Sequence, residues 1–279
     1  MLVLCNSMCK SASSVLFWYT RELVAAQLEN SAQKELRRLT DIGELPGRSE
    51  FVYPVTDEVF ERLLQVSRTR GPLVVKTHNL LTDRLRVAIS NDEVKTIFSY
   101  RDPRDMILSA IDHRRRTIES NKRLAFEEFT SVKESIRPAV WWCRMACDWV
   151  ESRLPLRIAY SEVVKHPAEQ IAKVAKLLDL DVDESMIQSL LECENKNRAT
   201  GNNEFNKGDL IRYPNEMTPE EIFMCDRQLG AYIRRLGFFV NPAHVVPRKP
   251  LAIRKLRAIR KIIRQLPFSP NKRSKNKAA

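Results

Sequence analysis

The chain has 279 residues, 43% hydrophobic and 29% charged, which suffices for the core of one large domain or two small ones and excludes wholesale disorder. No apolar run is long enough to span a bilayer, which excludes an integral membrane protein. The net charge of +12 is unevenly placed: from His244 onward there are twelve Lys or Arg and no acid, and the preceding body carries 35 of each sign, so the charge belongs to a tail. Cys5, Cys9, Cys143, Cys147, Cys193 and Cys225 form no CxxC pair and have no suitably spaced histidine, so neither a disulfide framework nor a zinc site is indicated and a reducing compartment is expected.

In chain order, residues 2–5 read as a strand. No basic residue precedes this run and Asn6, Ser7 and Lys10 interrupt it, so it is not expected to be a secretion signal. Residues 14–28 carry apolar positions at helical spacing, and 73–76 form a second strand closed by Thr77, His78 and Asn79. Residues 94–100 form a third strand, ended by Asp102-Pro103. Residues 139–150 are helical and contain Trp141, Trp142 and Trp149; 156–160 form a fourth strand and 167–178 an amphipathic helix. The polar stretch 194–213, with Gly201 and Gly208, reads as a loop. Thr218-Pro219-Glu220-Glu221 caps a helix that Gly237 stops after about Leu236. Strands alternating with helices predict an α/β fold, a mostly parallel central sheet flanked by helices, over residues 1–243, with a basic amphipathic helix and disordered tail over 244–279.

Three segments point to an anionic ligand. Residues 4–14 run from strand into helix through Lys10, Ser11, Ala12, Ser13 and Ser14, and unpaired N–H groups at a helix start make an anion cradle. The first glycine is Gly43 and no Gly-Lys pair exists, which rules out the nucleoside-triphosphate loop GxxxxGK[ST]. Lys76-Thr77-His78 puts an imidazole just past a strand, where open α/β sheets bind ligands and where it can take a proton from a hydroxyl. Arg101, at the end of a strand, suits a phosphate, and Ser109, eight residues on in the following helix, is placed for the same anion.

Together these segments resemble the sulfotransferase superfamily that uses 3′-phosphoadenosine 5′-phosphosulfate (PAPS). Residues 9–16 are similar to its 5′-phosphosulfate loop PKSGTTWL, Lys76-Thr77-His78 to its K-T-H strand end, and Arg101 through Ser109 to its 3′-phosphate motif. Two later stretches also match in order. Residues 159–162 followed by His166-Pro167 resemble the F-Y-E-D…N-P segment, and Asn206-Lys207-Gly208 through Thr218 resembles the RKGxxGDWKNxFT segment. Departures are Cys9 for Pro, Ala12 for Gly, Val15 for the Trp that packs on adenine, Asn206 for Arg and Ile211 for the second Gly.

The resemblance implies PAPS as sulfate donor, a P-loop-like fold and no metal. His78 becomes the base that deprotonates an acceptor hydroxyl, or less readily an amine. Lys10 and Lys76 become catalytic cations on the leaving 5′-phosphate and the sulfuryl group. Ser11, Ala12, Ser13 and Ser14 become the 5′-phosphate cradle, with backbone and hydroxyl donors. Arg101, Ser109, Asn206, Lys207 and Gly208 become 3′-phosphate contacts, and Tyr160 an adenine contact. The acceptor is expected among glycolipids, glycans and small alcohols, with residues 38–70, 114–138 and 195–206 lining its pocket.

In residues 251–266, Leu256, Ile259, Ile263 and Leu266 share one helical face and basic residues fill most of the rest. That pattern suits an anionic membrane surface first, packing back on the body second, and nucleic acid last, since no aromatic is interleaved for stacking. The expected location is cytoplasmic, peripheral at a membrane surface where the tail engages one. The alternative to an enzyme is a degenerate sulfotransferase scaffold that binds membrane or nucleic acid through its tail.

Overall fold

The structure, a computed structural model, describes residues 1–28, 31–120, 125–199 and 209–244. β1 (Leu2–Ser7) is buried along its whole length, as a strand covered on both faces must be. It runs two residues beyond the apolar stretch because Asn6 and Ser7 continue the parallel pairing with β5. α1 (Ser13–Gln27) follows, turning Leu16, Tyr19, Leu23 and Val24 into the core.

The next elements lie where the sequence pattern assigned none. They are α2 (Ser31–Asp41), β2 (Gly47–Arg48), β3 (Phe51–Val52) and α3 (Asp57–Arg70). Two-residue strands are too short to show a period of two, and the apolar part of what α2 buries is a narrow stripe, Ala32, Leu36 and Leu39, within a polar sequence. Gly47 has φ +134, and a Cβ there would lie 2.0 Å from the Phe51 carbonyl oxygen, so the β2–β3 hairpin requires glycine.

β4 (Leu73–Thr77), α4 (Asp83–Ser90), β5 (Val94–Tyr100) and α5 (Pro103–Glu119) come next. Asp102 caps α5 by accepting from the Arg104 amide, and Pro103 occupies the first turn, where its missing N–H costs nothing. α6 (Val132–Ser152) is longer than the predicted helix, beginning at the Ser131 cap. β6 (Leu156–Ala159) stops one residue early, since Tyr160 opens α7 (Tyr160–Lys165), which leads into α8 (Pro167–Leu177).

α9 (Glu184–Ala199) corrects the sequence reading: residues 194–199 are helical, not loop. Glu194 is buried there and accepts a hydrogen bond from the Tyr19 hydroxyl on α1, a tertiary contact with no local signature. α10 (Tyr213–Glu216) and α11 (Pro219–Arg235) complete the fold. α11 opens on a full capping box between Thr218 and Glu221, and Gly237 follows its C-cap at φ +85. Contacts gather Met1–His244 into one unit. The basic stretch 251–266 lies outside the described residues, and no described helix is long and apolar enough to cross a membrane.

The sheet order is β2-β3-β4-β1-β5-β6, parallel except for the β2–β3 pair. One face packs Val3, Val74, Ile97 and Ile158 against α1 and α8. On the other, Trp149 of α6 stacks on Phe98 of β5 at 5.6 Å. Beside that face Arg104, itself buried, makes a bidentate pair with Asp102, bonds Asp226 of α11 at 2.9 Å and the Phe239 carbonyl at 2.7 Å, and lies 3.7 Å from the Tyr213 ring. Removing the guanidinium strips buried Asp102 of its charged partner and leaves Asp226 with His244 alone, at a cost of about 3–5 kcal/mol. Arg104→Ala is therefore expected to lower the urea midpoint by that equivalent at unchanged m-value, whereas Arg235→Ala, which breaks an exposed pair with Glu151, should cost about 1 kcal/mol or less.

Candidate active site

β1 is the switch point of the sheet. The chain passes from it to β4 on one side and later to β5 on the other, and at such a reversal the loops diverge and leave a crevice beyond the strand ends. Register brings the ends level: Asn6 pairs with Thr77, and Ser7 with Ser99.

The loop after β1 folds back on β5. The Met8 amide donates to the Ser99 carbonyl at 2.9 Å, and the Ser11 hydroxyl sits 2.6 Å from the Met8 carbonyl and 2.9 Å from Ser99 Oγ. Ser11 is wholly buried, and its hydroxyl secures the loop against β5. Lys10 (φ 58) and Ala12 (φ 68) both lie in the left-handed region. Ala12 is the N-cap of α1 and offers no side-chain cap, so the first-turn amides of Ser13 and Ser14 have no partner within their helix.

Cations and an imidazole surround that helix start. Lys76 Nζ donates to Ser14 Oγ at 2.6 Å. Lys10 Nζ lies 3.3 Å from Nδ1 of His113 on α5 and 5.9 Å from the Phe126 ring centre. Ser109 is four residues before His113, so it is on the same face of α5, and it is buried.

His78 Nδ1 is 2.9 Å from the Ser7 carbonyl oxygen and 2.9 Å from Ser7 Oγ. A carbonyl only accepts, so Nδ1 carries the proton and Nε2 the lone pair. Burial, with smaller contributions from Lys76 and Lys10, pushes the imidazole pKa down to about 4. The ring is flanked by Phe51 at 5.4 Å and by the edge of Trp142 at 5.4 Å. Tyr53 and Trp141, both part-exposed, extend this aromatic wall on either side.

Arg101 is 5% exposed, stacks on the Tyr160 ring at 3.8 Å and donates to the Asp209 carbonyl at 2.8 Å. Its Nε is buried with no hydrogen-bond partner among the described residues, Asp105 standing off at 4.0 Å. Tyr160 is thus brought to Arg101. Asn206, Lys207 and Gly208 lie outside the described residues.

The sequence profile of the sulfotransferase domain matches residues 7–228. The chain belongs to that family. Three sulfotransferase-like structures share its fold. The mouse sulfotransferase SULT7A1 complexed with PAP is 17% identical over 84% of each chain, with a TM-score of 0.56. Retinol dehydratase with androsterone and the inactive cofactor PAP is 16% identical over 87% of this chain and 83% of that one, with a TM-score of 0.53. Its complex with retinol and PAP is 18% identical over 86% and 83%, with a TM-score of 0.52. No curated protein sequence matches the chain.

Two departures of this sulfotransferase from the family pattern have structural consequences. Val15 is buried in the core beside Leu16, so it is packing rather than a platform for a base. Ala12 holds a left-handed conformation at a cost of about 1–2 kcal/mol. The residues that sequence reasoning missed, Phe51, Tyr53, Ser7 and the Trp142 edge against the imidazole, carry no local motif; Phe51 and Tyr53 fall in the expected 38–70 range, and the two tryptophans do not.

Ala12→Gly is expected to raise the urea midpoint by up to about 1 kcal/mol equivalent, the relief exceeding the entropy glycine adds to the unfolded chain. Ala25→Gly, at an exposed helical site, should lower it by about 0.5–1 kcal/mol. An NMR titration of His78 should give a midpoint near 4 in the free protein. PAP should raise that midpoint, because phosphates offset the repulsion from Lys76 and Lys10. Since the fold disfavours the imidazolium, the free protein should lose stability as pH falls from about 6.5 towards 4.

Proposed function

We propose that the crevice binds PAPS and that this sulfotransferase passes its sulfuryl group to an acceptor hydroxyl by in-line displacement, with adenosine 3′,5′-bisphosphate (PAP) leaving. The observation that carries the donor assignment is the buried Nε of Arg101, which among the described residues has no hydrogen-bond partner, Asp105 standing off at 4.0 Å. A 3′-phosphate meets that need, and the PAP complexes of the structural neighbours agree with it. Ser109 and the segment Asn206-Lys207-Gly208 complete the 3′-phosphate contacts, and Tyr160 holds the guanidinium plane while its edge meets the adenine.

The open amides of Ser13 and Ser14, with Lys10 and Lys76, receive the 5′-phosphosulfate end. PAPS supplies the sulfuryl group, and the chain supplies position and charge. Lys10 offsets charge on the leaving phosphate oxygen, and Lys76 holds a sulfuryl oxygen. His78 takes the acceptor proton at Nε2, because Nδ1–H is committed to Ser7. With a pKa near 4 the imidazole is neutral, hence ready as a base, throughout the physiological range.

Phe51, Tyr53, Trp141 and Trp142 beside His78 suit a hydroxyl carried on a flat or ring-shaped scaffold, whether a small alcohol or the ring face of a sugar or glycolipid. The retinol and androsterone complexes of one structural neighbour are ring-bearing examples.

Mass spectrometry of a pool of glycolipids, glycans and small alcohols incubated with PAPS should reveal a sulfated product. His78→Ala should lower turnover by about 10²–10⁴-fold while PAP affinity by calorimetry stays within about twofold. Arg101→Ala should instead weaken PAP binding by about 10–100-fold, the loss of a charged hydrogen bond. Full activity in His78→Ala would remove the base assignment, and unchanged PAP affinity in Arg101→Ala would remove the phosphate site.

A further inference from the structure

The β1–β4 ladder ends at Asn6 and Thr77, one residue short of the imidazole. Past that point a side chain takes over. Asn6 is buried, and its carboxamide lies along the backbone of Asn79: Nδ2 donates to the Asn79 carbonyl at 2.8 Å, and Oδ1 accepts from the Asn79 amide at 2.9 Å. The same Oδ1 accepts from the Ser7 amide at 2.8 Å. Asn6 therefore ties together the two residues, Ser7 and Asn79, whose relative position decides whether His78 Nδ1 reaches the Ser7 carbonyl.

Asn79 is braced from the far side as well. Its carboxamide exchanges bonds of 3.0 and 3.1 Å with the backbone of Val55, and its carbonyl accepts a second bond, at 2.8 Å, from Trp149 Nε1. Trp149 stands seven residues, two helical turns, after Trp142, so one face of α6 braces both the backbone after His78 and the imidazole edge. Asn6 makes the only one of these contacts that joins β1 to the backbone of Asn79 among the described residues, and it needs a donor and an acceptor on one short, stiff side chain. Aspartate lacks the donor and leucine has neither.

We propose that Asn6 is a positioning residue for the base, extending the strand pairing by one step so that His78 is held in the Nδ1–H form with Nε2 towards the acceptor. This rests on the reading of His78 as the base. It is tested on the full-length protein labelled with ¹⁵N-histidine, comparing wild type, Asn6→Asp and Asn6→Ala, with PAP release from PAPS measured in the presence of the acceptor pool above. Wild type should show one His78 tautomer, protonated at Nδ1. Asn6→Ala should show averaged ring nitrogens and turnover lowered about tenfold or more, at PAP affinity within about twofold.

Asn6→Asp keeps both amide contacts to Oδ1, and should fall between the two if Asn6→Ala folds, or carry the test alone if it does not. In a His78→Ala background Asn6→Ala should change the residual rate less than about twofold, since the two residues act as one unit. An unaltered tautomer in both variants, or an equal fold-loss in both backgrounds, would overturn the proposal. Full turnover in His78→Ala would instead overturn the base reading, whatever Asn6 does to the tautomer.

Discussion

The pairing of β1 with β4 on one side and β5 on the other is the constraint from which the site follows. Parallel ladders fix which residues end level, and here they end at Asn6, Ser7, Thr77 and Ser99. A one-residue slip would invert every side chain along β1 and carry Ser7 away from His78. The buried faces of Leu2, Val3 and Leu4 resist such a slip, because it would exchange their packing environments. The precision of the crevice is thus set by apolar burial along strands that touch no ligand.

Charge is distributed with the same logic. Arg104 and Arg212 are each satisfied by two carboxylates, which makes them internal fastenings between α5, α10 and α11. Arg101, three residues from Arg104, stacks on an aromatic ring in the same way but has no carboxylate within hydrogen-bond distance among the described residues. Distance to a carboxylate separates the two arginines: Arg104 is held by two close ones, whereas Asp105 stands 4.0 Å from Arg101. At the other end of the crevice Lys10 Nζ lies against the His113 imidazole and Lys76 Nζ donates to the Ser14 hydroxyl. Burial first, and Lys76 and Lys10 after it, hold the His78 imidazole unprotonated down to a pKa of about 4.

The phosphate loop shows how far a family pattern tolerates change. Glycine is usual where Ala12 stands because the turn needs a left-handed residue, and this chain adopts the turn regardless, with the bonds of Ser11 to Met8 and Ser99 holding it. Local strain is carried by a buried serine that the turn itself places. Where the family pattern has an aromatic, Val15 is packed in the core, and the aromatic ring beside Arg101 is that of Tyr160.

Strands β1, β4, β5 and β6 and helices α1, α8 and α11 were legible in the linear chain, as was the ordered series Lys10, Lys76, His78, Arg101, Ser109 and Tyr160 proposed for the site. Each is written in local terms: an apolar run, a cap, a breaker, or a spacing along one element. The β2–β3 hairpin, the helical state of residues 194–199, the inward turn of the Ser11 hydroxyl and the clasp of Asn6 on Asn79 were not. The hairpin strands are too short to show a period, and the other three depend on distant partners, Glu194 for Tyr19, Ser99 for Ser11 and Asn79 for Asn6. The sequence alone determined which groups could do the chemistry, because residue type and spacing set what each can donate, accept or titrate. Only the tertiary structure decided which nitrogen of His78 faces Ser7 and how far Asp105 stands from Arg101, because both depend on what the fold packs against them.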